Sequence, residues 1–243
     1  MDKLDFLSIE THGCIGIITL NHPPQNSIPT PDFADLETLT SFLNLPEYKG
    51  FIITGNGRHF SVGAQLENLA SLIKIPQALE ESLNYGKALL QLIENVNLPV
   101  VSAIKGICFG GGLEIALASH IRVCSDRALF AFPEINHNLM PGLGGTVKLQ
   151  ELLSVADALN LFLSGDTVDA EKAKEMKLVD YVVSPNNVLD FSIQLLNNLV
   201  VDRPKYVIEA IMKAISNAQK LPFNQALDEE TRLFCHLAAK ANL

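Results

Sequence analysis

Ala103-Ile104-Lys105-Gly106-Ile107-Cys108-Phe109-Gly110-Gly111-Gly112-Leu113-Glu114 decides how this chain of 243 residues is read. The apolar run over 98–104 has the short, unbroken hydrophobicity of a buried strand. Three glycines follow, then a helical pattern over 113–118. Glycine has no Cβ to hold a ligand away from the main chain. The first amides of a helix lack an intrahelical acceptor and sit at the positive end of its dipole. The Gly111 amide is therefore suited to hold a developing oxyanion. Glu114 lies three residues on, about one turn, and can share that face. On the glycines alone a second reading stands, a close-packed turn with a surface glutamate. A dinucleotide loop is discounted: neither this run nor Gly142-Leu143-Gly144-Gly145 completes G-x-G-x-x-G, because Val147 stands where the last glycine is needed.

Two further segments carry candidate chemistry. Phe132-Pro133-Glu134 leaves a short strand, and Pro133 restricts the backbone around it. Under the apolar flanks Phe130, Phe132, Ile135 and Leu139, the Glu134 carboxyl would hold its proton above the ordinary range and suit general acid/base work. Taken alone, Pro-Glu is an ordinary exposed turn. Phe60-Ser61-Val62-Gly63-Ala64-Gln65-Leu66 follows another apolar run. It is either a plain connection or the source of a second backbone donor, which an oxyanion site needs.

Outward from these segments, periodicity predicts strands over 6–10 and 14–20, joined by a turn at Thr11-His12-Gly13, and a helix over 31–43. A buried strand is expected over 50–55, a loop over 61–65 and an amphipathic helix over 78–94. Short strands at 121–124 and 129–132 precede a tight loop at 141–145. Helical patterns then run over 146–153, 156–163, 170–176, 188–199, 205–218 and 224–241. Strands dominate the first half and helices the last third, the order of an α/β core with a helical C-terminal part.

A net charge of −9 argues against nucleic acid as a partner. Cys14, Cys108, Cys124 and Cys235 form no C-x-x-C pair and read as reduced packing thiols of a cytoplasmic protein. Met1-Asp2-Lys3-Leu4-Asp5 lacks the apolar core of a signal peptide. No uncharged run reaches the roughly 18 residues of a membrane span. The six histidines suggest no metal cluster.

Taken together, the three segments resemble the enoyl-CoA hydratase/isomerase (crotonase) superfamily, in order and over 4–234. The resemblance is carried by Asn21-His22-Pro23-Pro24-Gln25-Asn26-Ser27, by Phe60 to Ala64, by the stretch from Ala103 to Glu114, and by Phe132-Pro133-Glu134 with Pro141-Gly142-Leu143-Gly144-Gly145-Thr146. Leu163-Ser164-Gly165, Ala170-Glu171-Lys172-Ala173 and Leu178-Val179-Asp180 add to it. It implies a spiral of repeated β-β-α units over 1–190 and a helical part over 191–243 that builds a homotrimer or homohexamer. It implies an oxyanion hole from the amides of Ala64 and Gly111, and catalytic Glu114 and Glu134 holding a water. It implies substrate contacts at Val62, Gly63, Leu66, Gly110, Pro133 and Gly142. It further implies no cofactor beyond the coenzyme A of the thioester, and so an enoyl-CoA hydratase.

Several positions depart from the family pattern. Gln65 and Glu67 replace residues that are commonly acidic and then cationic or polar, and His22 and Pro24 replace basic ones. Asn138 stands for a glycine, and His120 for an aspartate. The chain also stops at Leu243, sooner than the resemblance leads one to expect. Two readings of the carrier follow: acyl carrier protein, or CoA held through Lys74, Lys105, Arg58 or a neighbouring subunit. The acidity of the chain favours CoA. Within the superfamily an isomerase, or a carrier-protein-linked dehydratase or decarboxylase, are the alternatives; His236 and Lys74 could serve a decarboxylase-like variant, but they read first as a helix-face histidine and a solvated lysine. Outside catalysis the alternative is an interaction subunit, which would need neither glutamate. If Gly112 only opens the helix, alanine there should be milder than proline at Gly111.

Overall fold

The computed structural model describes residues 6–241. The segment 1–5, read above for a signal peptide, lies outside them, as do 242–243. The chain begins with β1 (Leu7–His12) and β2 (Ile15–Leu20), then α1 (Leu36–Leu43), β3 (Gly50–Gly55), α2 (Leu66–Ile73) and α3 (Pro76–Asn95). Next come β4 (Val100–Ile104), β5 (Ile107–Phe109), α4 (Gly111–Leu117), β6 (Ile121–Ser125) and β7 (Leu129–Ala131). A 3₁₀ turn at Pro133–His137 leads to α5 (Gly145–Leu152), α6 (Val155–Ser164), β8 (Val168–Asp169), α7 (Ala170–Glu175) and β9 (Tyr181–Val183). A second 3₁₀ turn, Pro185–Asn187, precedes α8 (Val188–Val200), α9 (Lys205–Lys220) and α10 (Phe223–Ala238).

Six strands form one sheet in the order β1-β2-β3-β4-β6-β9, and three form a second, β5-β7-β8. Only the β1–β2 hairpin is antiparallel in the large sheet. Each inner turn of chain gives one strand to the large sheet, a shorter strand or bridge to the small one, and then a helix. Thus β4, β5 and α4 make one turn of a spiral, and β6, β7 and the following helices make the next. The expected α/β spiral with a helical C-terminal part is the observed fold.

Both faces of the large sheet are covered, so its inner strands read as unbroken apolar runs instead of alternating ones. Phe51 and Ile53 of β3 enter the main core with Phe33, Phe60, Leu89 and Phe130. Ile52 points the other way and joins Ile15, Val101, Val123 and Leu196 under α8. Burial of Phe51 at 0 % exposure implies a loss of about 3–5 kcal/mol on truncation to alanine.

Several boundaries differ from expectation for local reasons. β1 runs on to His12, and the turn is Gly13-Cys14, with Gly13 at φ 60°. α1 starts at Leu36 because Asp35 caps it, accepting from Thr38 N at 2.8 Å. The preceding segment is tied instead to α3, where Ser82 Oγ donates to Asp32 Oδ1 at 2.7 Å. α2 places Leu66, Leu69, Ala70 and Ile73 at helical spacing, yet none of its residues is buried. β5 is three residues long and is set by its neighbours. His120 packs against the start of β4: its Nδ1 accepts from Val100 N at 3.1 Å, and burial holds its pKa down. Among the described residues no helix is long and apolar enough to cross a membrane.

Candidate active site

The site forms where the small sheet delivers its chain ends to α4. Two single-residue bridges extend that sheet. Ser61 pairs with Cys108, and Ile28 pairs with Ala64, both parallel. The second bridge fixes the direction of the Ala64 amide. Ile28 N donates to Gly63 O at 2.8 Å, and Gln65 N donates to Ile28 O at 2.8 Å. In a parallel pairing the flanking groups face the partner, so Ala64's own N–H faces away from it. Gly63 lies at φ 93°, and an ideal Cβ there would stand 2.9 Å from Phe109 O and 3.6 Å from Gly111 N. Only glycine lets these two stretches run in such contact. Gly111 is the first residue of α4, and its amide has no acceptor within the helix.

The brace behind this loop was not read from the sequence. Asn26 is fully buried at φ 50°. Its Nδ2 donates to Asn56 O at 2.9 Å and to His59 O at 2.8 Å, and its Oδ1 accepts from His22 N at 3.1 Å. Ser61 Oγ donates to Asn26 O at 2.7 Å and accepts from Gly63 N at 3.1 Å. Gly112 packs on the same serine: a Cβ would fall 2.7 Å from Ser61 Cβ and 2.9 Å from Ser61 O. The condition on which alanine at Gly112 was expected to be milder, that Gly112 only opens the helix, does not hold, since the obstacle includes main chain.

Glu114 lies inside α4, only 4 % exposed. Its Oε1 accepts from Leu143 N at 2.7 Å and Gly145 N at 2.8 Å. Burial pushes its pKa up to about 7, against the pull of those amides and with the Glu134 carboxylate adding to the rise. Glu134 sits in the 3₁₀ turn, its Oε1 against Gly110, where a Cβ would come within 2.7 Å. Its Oε2 is buried without a protein partner. Burial raises its pKa to about 6, opposed by its own amide. Of the flanks named from sequence, Phe130 and Phe132 are buried while Ile135 and Leu139 are exposed.

A cavity of about 530 Å³ opens here, lined by Val62, Gly63, Ala64, Leu66, Gly110, Pro133 and Glu134, all singled out in the sequence. Gln25, Ser27, Gln65, Glu67, Leu69, His137 and Leu139 complete it. Gly111 and Glu114 sit behind the lining. Gly142 does not line it either; its Cβ position faces Leu83 of α3 at 2.9 Å. Chemically, the arrangement offers the main-chain amides of Ala64 and Gly111 and two carboxyls with raised pKa values, Glu114 at about 7 and Glu134 at about 6. Among the described residues no three His, Cys, Asp or Glu side chains gather as a metal site. Of the suggested CoA contacts, Arg58 and Lys105 line a different cavity, and Lys74 ends α2 exposed.

The model of the enoyl-CoA hydratase/isomerase family matches residues 10–243. The chain belongs to that family. A probable enoyl-CoA hydratase of Bacillus subtilis is 33% identical over 183 residues, covering 72% of this chain and 68% of the relative. A carnitinyl-CoA dehydratase of Salmonella arizonae is 34% identical over 217 residues, covering 88% and 81%. The fatty acid oxidation complex subunit alpha of Idiomarina loihiensis is 34% identical over 200 residues, but this chain spans only 28% of its length. Among solved structures, DspI of Pseudomonas aeruginosa superposes with a TM-score of 0.88 at 28% identity, over 99% of this chain and 98% of that one. An enoyl-CoA hydratase from Polaromonas sp. JS666 gives 0.87 at 26%, over 95% and 90%. The family fold thus holds the amide-bearing loop, the α4 start and both carboxyls together.

Proposed function

We propose that this member of the family adds water to an α,β-unsaturated acyl-CoA. The observation that carries the reading is the pair of carboxyls with raised pKa values, Glu114 in α4 and Glu134 in the 3₁₀ turn against Gly110, the latter with an unpartnered buried oxygen. The thioester oxygen would accept from Ala64 N–H and Gly111 N–H. Water then bonds to Cβ and gives a proton to whichever carboxyl is ionised. The alkene electron pair moves onto the thioester oxygen, where two fixed amides offset the charge by several kcal/mol; one donor is worth about 2.7–4. Collapse of that charge takes the proton of the other carboxyl to Cα. One water is consumed, and the pair keeps one proton.

The names of the Bacillus and Salmonella relatives support hydration or its reverse. The test is a panel of short and branched enoyl-CoAs, with products read by mass. Gain of water supports the proposal; double-bond migration without mass change would replace it with the isomerase reading. Gly111→Pro, checked for folding, should abolish turnover, because proline suits the first helical position while removing the donor. A second reading, delivery on acyl carrier protein, is favoured by one observation: Gln65 and Glu67, not cations, line the cavity. Parallel assays on acyl-pantetheine and acyl-carrier substrates decide between carriers.

Assembly belongs to the same proposal. α10 buries none of its residues, and Phe223 and Phe234 are 76 % and 70 % exposed. Such a face fits a homotrimer or homohexamer.

A further inference from the structure

A cavity of about 710 Å³ lies at the opposite end of the small sheet and shares no lining residue with the catalytic one. Ile107 opens β5 in this second cavity, while Gly110, just past β5, lines the first. Three residues of extended chain separate them, about 10 Å. Arg58, Lys105 and Arg127 line the second cavity, with Asp190 as its one carboxylate. In a chain of net charge −9 this is a local excess of positive charge. Among the described residues no ion pair or side-chain hydrogen bond engages any of the three cations.

The rest of the lining is also rich in donors. His59 lines the cavity and its Nδ1 accepts from Ile107 N at 3.1 Å, so the neutral ring carries its proton on Nε2 and remains a donor. Leu189 and Asp190 belong to the first turn of α8, a 13-residue helix whose start is preceded by Asn187 without a side-chain cap. Guanidinium forks from two arginines and a lysine ammonium match phosphate oxygens in charge and geometry.

We propose that the cavity between Arg58, Lys105 and Arg127 binds a phosphate-bearing small molecule, at a site separate from the catalytic cavity. This inference does not depend on which reaction the catalytic cavity performs. Two sources share the chemistry, a free phosphorylated metabolite and the phosphates of CoA itself.

The experiment titrates the full chain with inorganic pyrophosphate and, separately, with free CoA, by calorimetry at fixed ionic strength set with chloride. Saturable pyrophosphate binding is expected, about tenfold weaker in the double variant Arg58→Gln/Arg127→Gln, a difference of about 1.4 kcal/mol. Both arginines are exposed, so the fold should survive, as checked by thermal melting without anion; Lys105→Gln serves as an independent variant. Parallel weakening of CoA assigns the phosphates to CoA, and weakening of pyrophosphate alone assigns them to a free anion; either result supports the site. No saturable binding, or equal affinity in the folded variants, would overturn it.

Discussion

An oxygen of Glu134 occupies the space that a side chain on Gly110 would need: its Oε1 lies 2.7 Å from the ideal Cβ position. Gly110 also sits at φ 50° and ψ −125°, outside the left-handed helical basin, a sparsely populated conformation that costs other residues roughly 1–3 kcal/mol. Gly110→Ala should therefore displace the carboxylate without unfolding the chain. Turnover of the enoyl-CoA substrate should fall about 100-fold or more, as for a small misplacement of a reacting group. Kinetics beside a circular dichroism spectrum check this; full activity in the variant would show that the position of Glu134 is unimportant.

Glu114→Gln and Glu134→Gln should each reduce hydration by about 100- to 10,000-fold, the range of a lost general acid or base. Under the proposed mechanism both act on one water, so the double variant should be little worse than the poorer single one. Multiplicative losses, measured as kcat/KM in a double-variant cycle, would separate their roles.

The pH behaviour follows from the raised pKa values. The pair holds one proton between about 6 and about 7, so the rate should be bell-shaped with its maximum there, reported as properties of the pair. Stability carries a definite sign. The ordinary value is 4.5, so from there to about 7 the folded Glu114 binds more proton than the unfolded chain does. Its stabilising contribution is present below the ordinary carboxyl range and is lost as pH rises through about 7. Glu114→Gln keeps an acceptor for Leu143 and Gly145 and removes the buried charge. It should stabilise the protein on the order of 1–3 kcal/mol near pH 8 and hardly at all near pH 4. Urea midpoints at the two pH values measure this.

Asn26→Ala removes both donors that reach Asn56 O and His59 O and the acceptor for His22 N. A loss of about 2–4 kcal/mol is expected, since buried main-chain groups lose their partners. Activity should drop further than stability explains, because the main chain at residue 26, whose carbonyl accepts from Ser61 Oγ, loses the side-chain bonds that hold it in place. A variant with lowered melting temperature but unchanged kcat would confine Asn26 to a structural role.

The exposed apolar face of the C-terminal hairpin predicts assembly. Sedimentation should give a trimer or hexamer, and Phe223→Asp/Phe234→Asp should shift it toward smaller species. A wild-type monomer with full activity would refute the assembly.

The spiral and most of the candidate site were legible because local signals and long-range needs agree there. Gly110-Gly111-Gly112 precedes a helical pattern that begins at Leu113, and Pro133-Glu134 follows a short apolar strand. What escaped depends on partners distant in sequence. Nothing local to Asn26 shows that it bonds to Asn56 and His59, or that Leu143 and Gly145 hold Glu114. β5 is a strand because Leu129–Ala131 and Ser61 lie on either side of it. Gly112 was read as a helix opener because Ser61, its real constraint, lies 51 positions earlier.

The pairing of Ile28 with Ala64 and of Ser61 with Cys108 has a consequence for how this protein can change. The amides proposed to hold the anion belong to the main chain, so every residue type except proline at 64 or 111 retains them. Mutation can move these groups far more readily than it can delete them. Damage should then concentrate where atoms have no room, at Gly63, Gly110 and Gly112, while rim positions such as Leu66 and Glu67 stay open to replacement. A single main-chain frame of this kind can be refitted to different acyl groups by exchanging its rim, with the reactive centre left untouched.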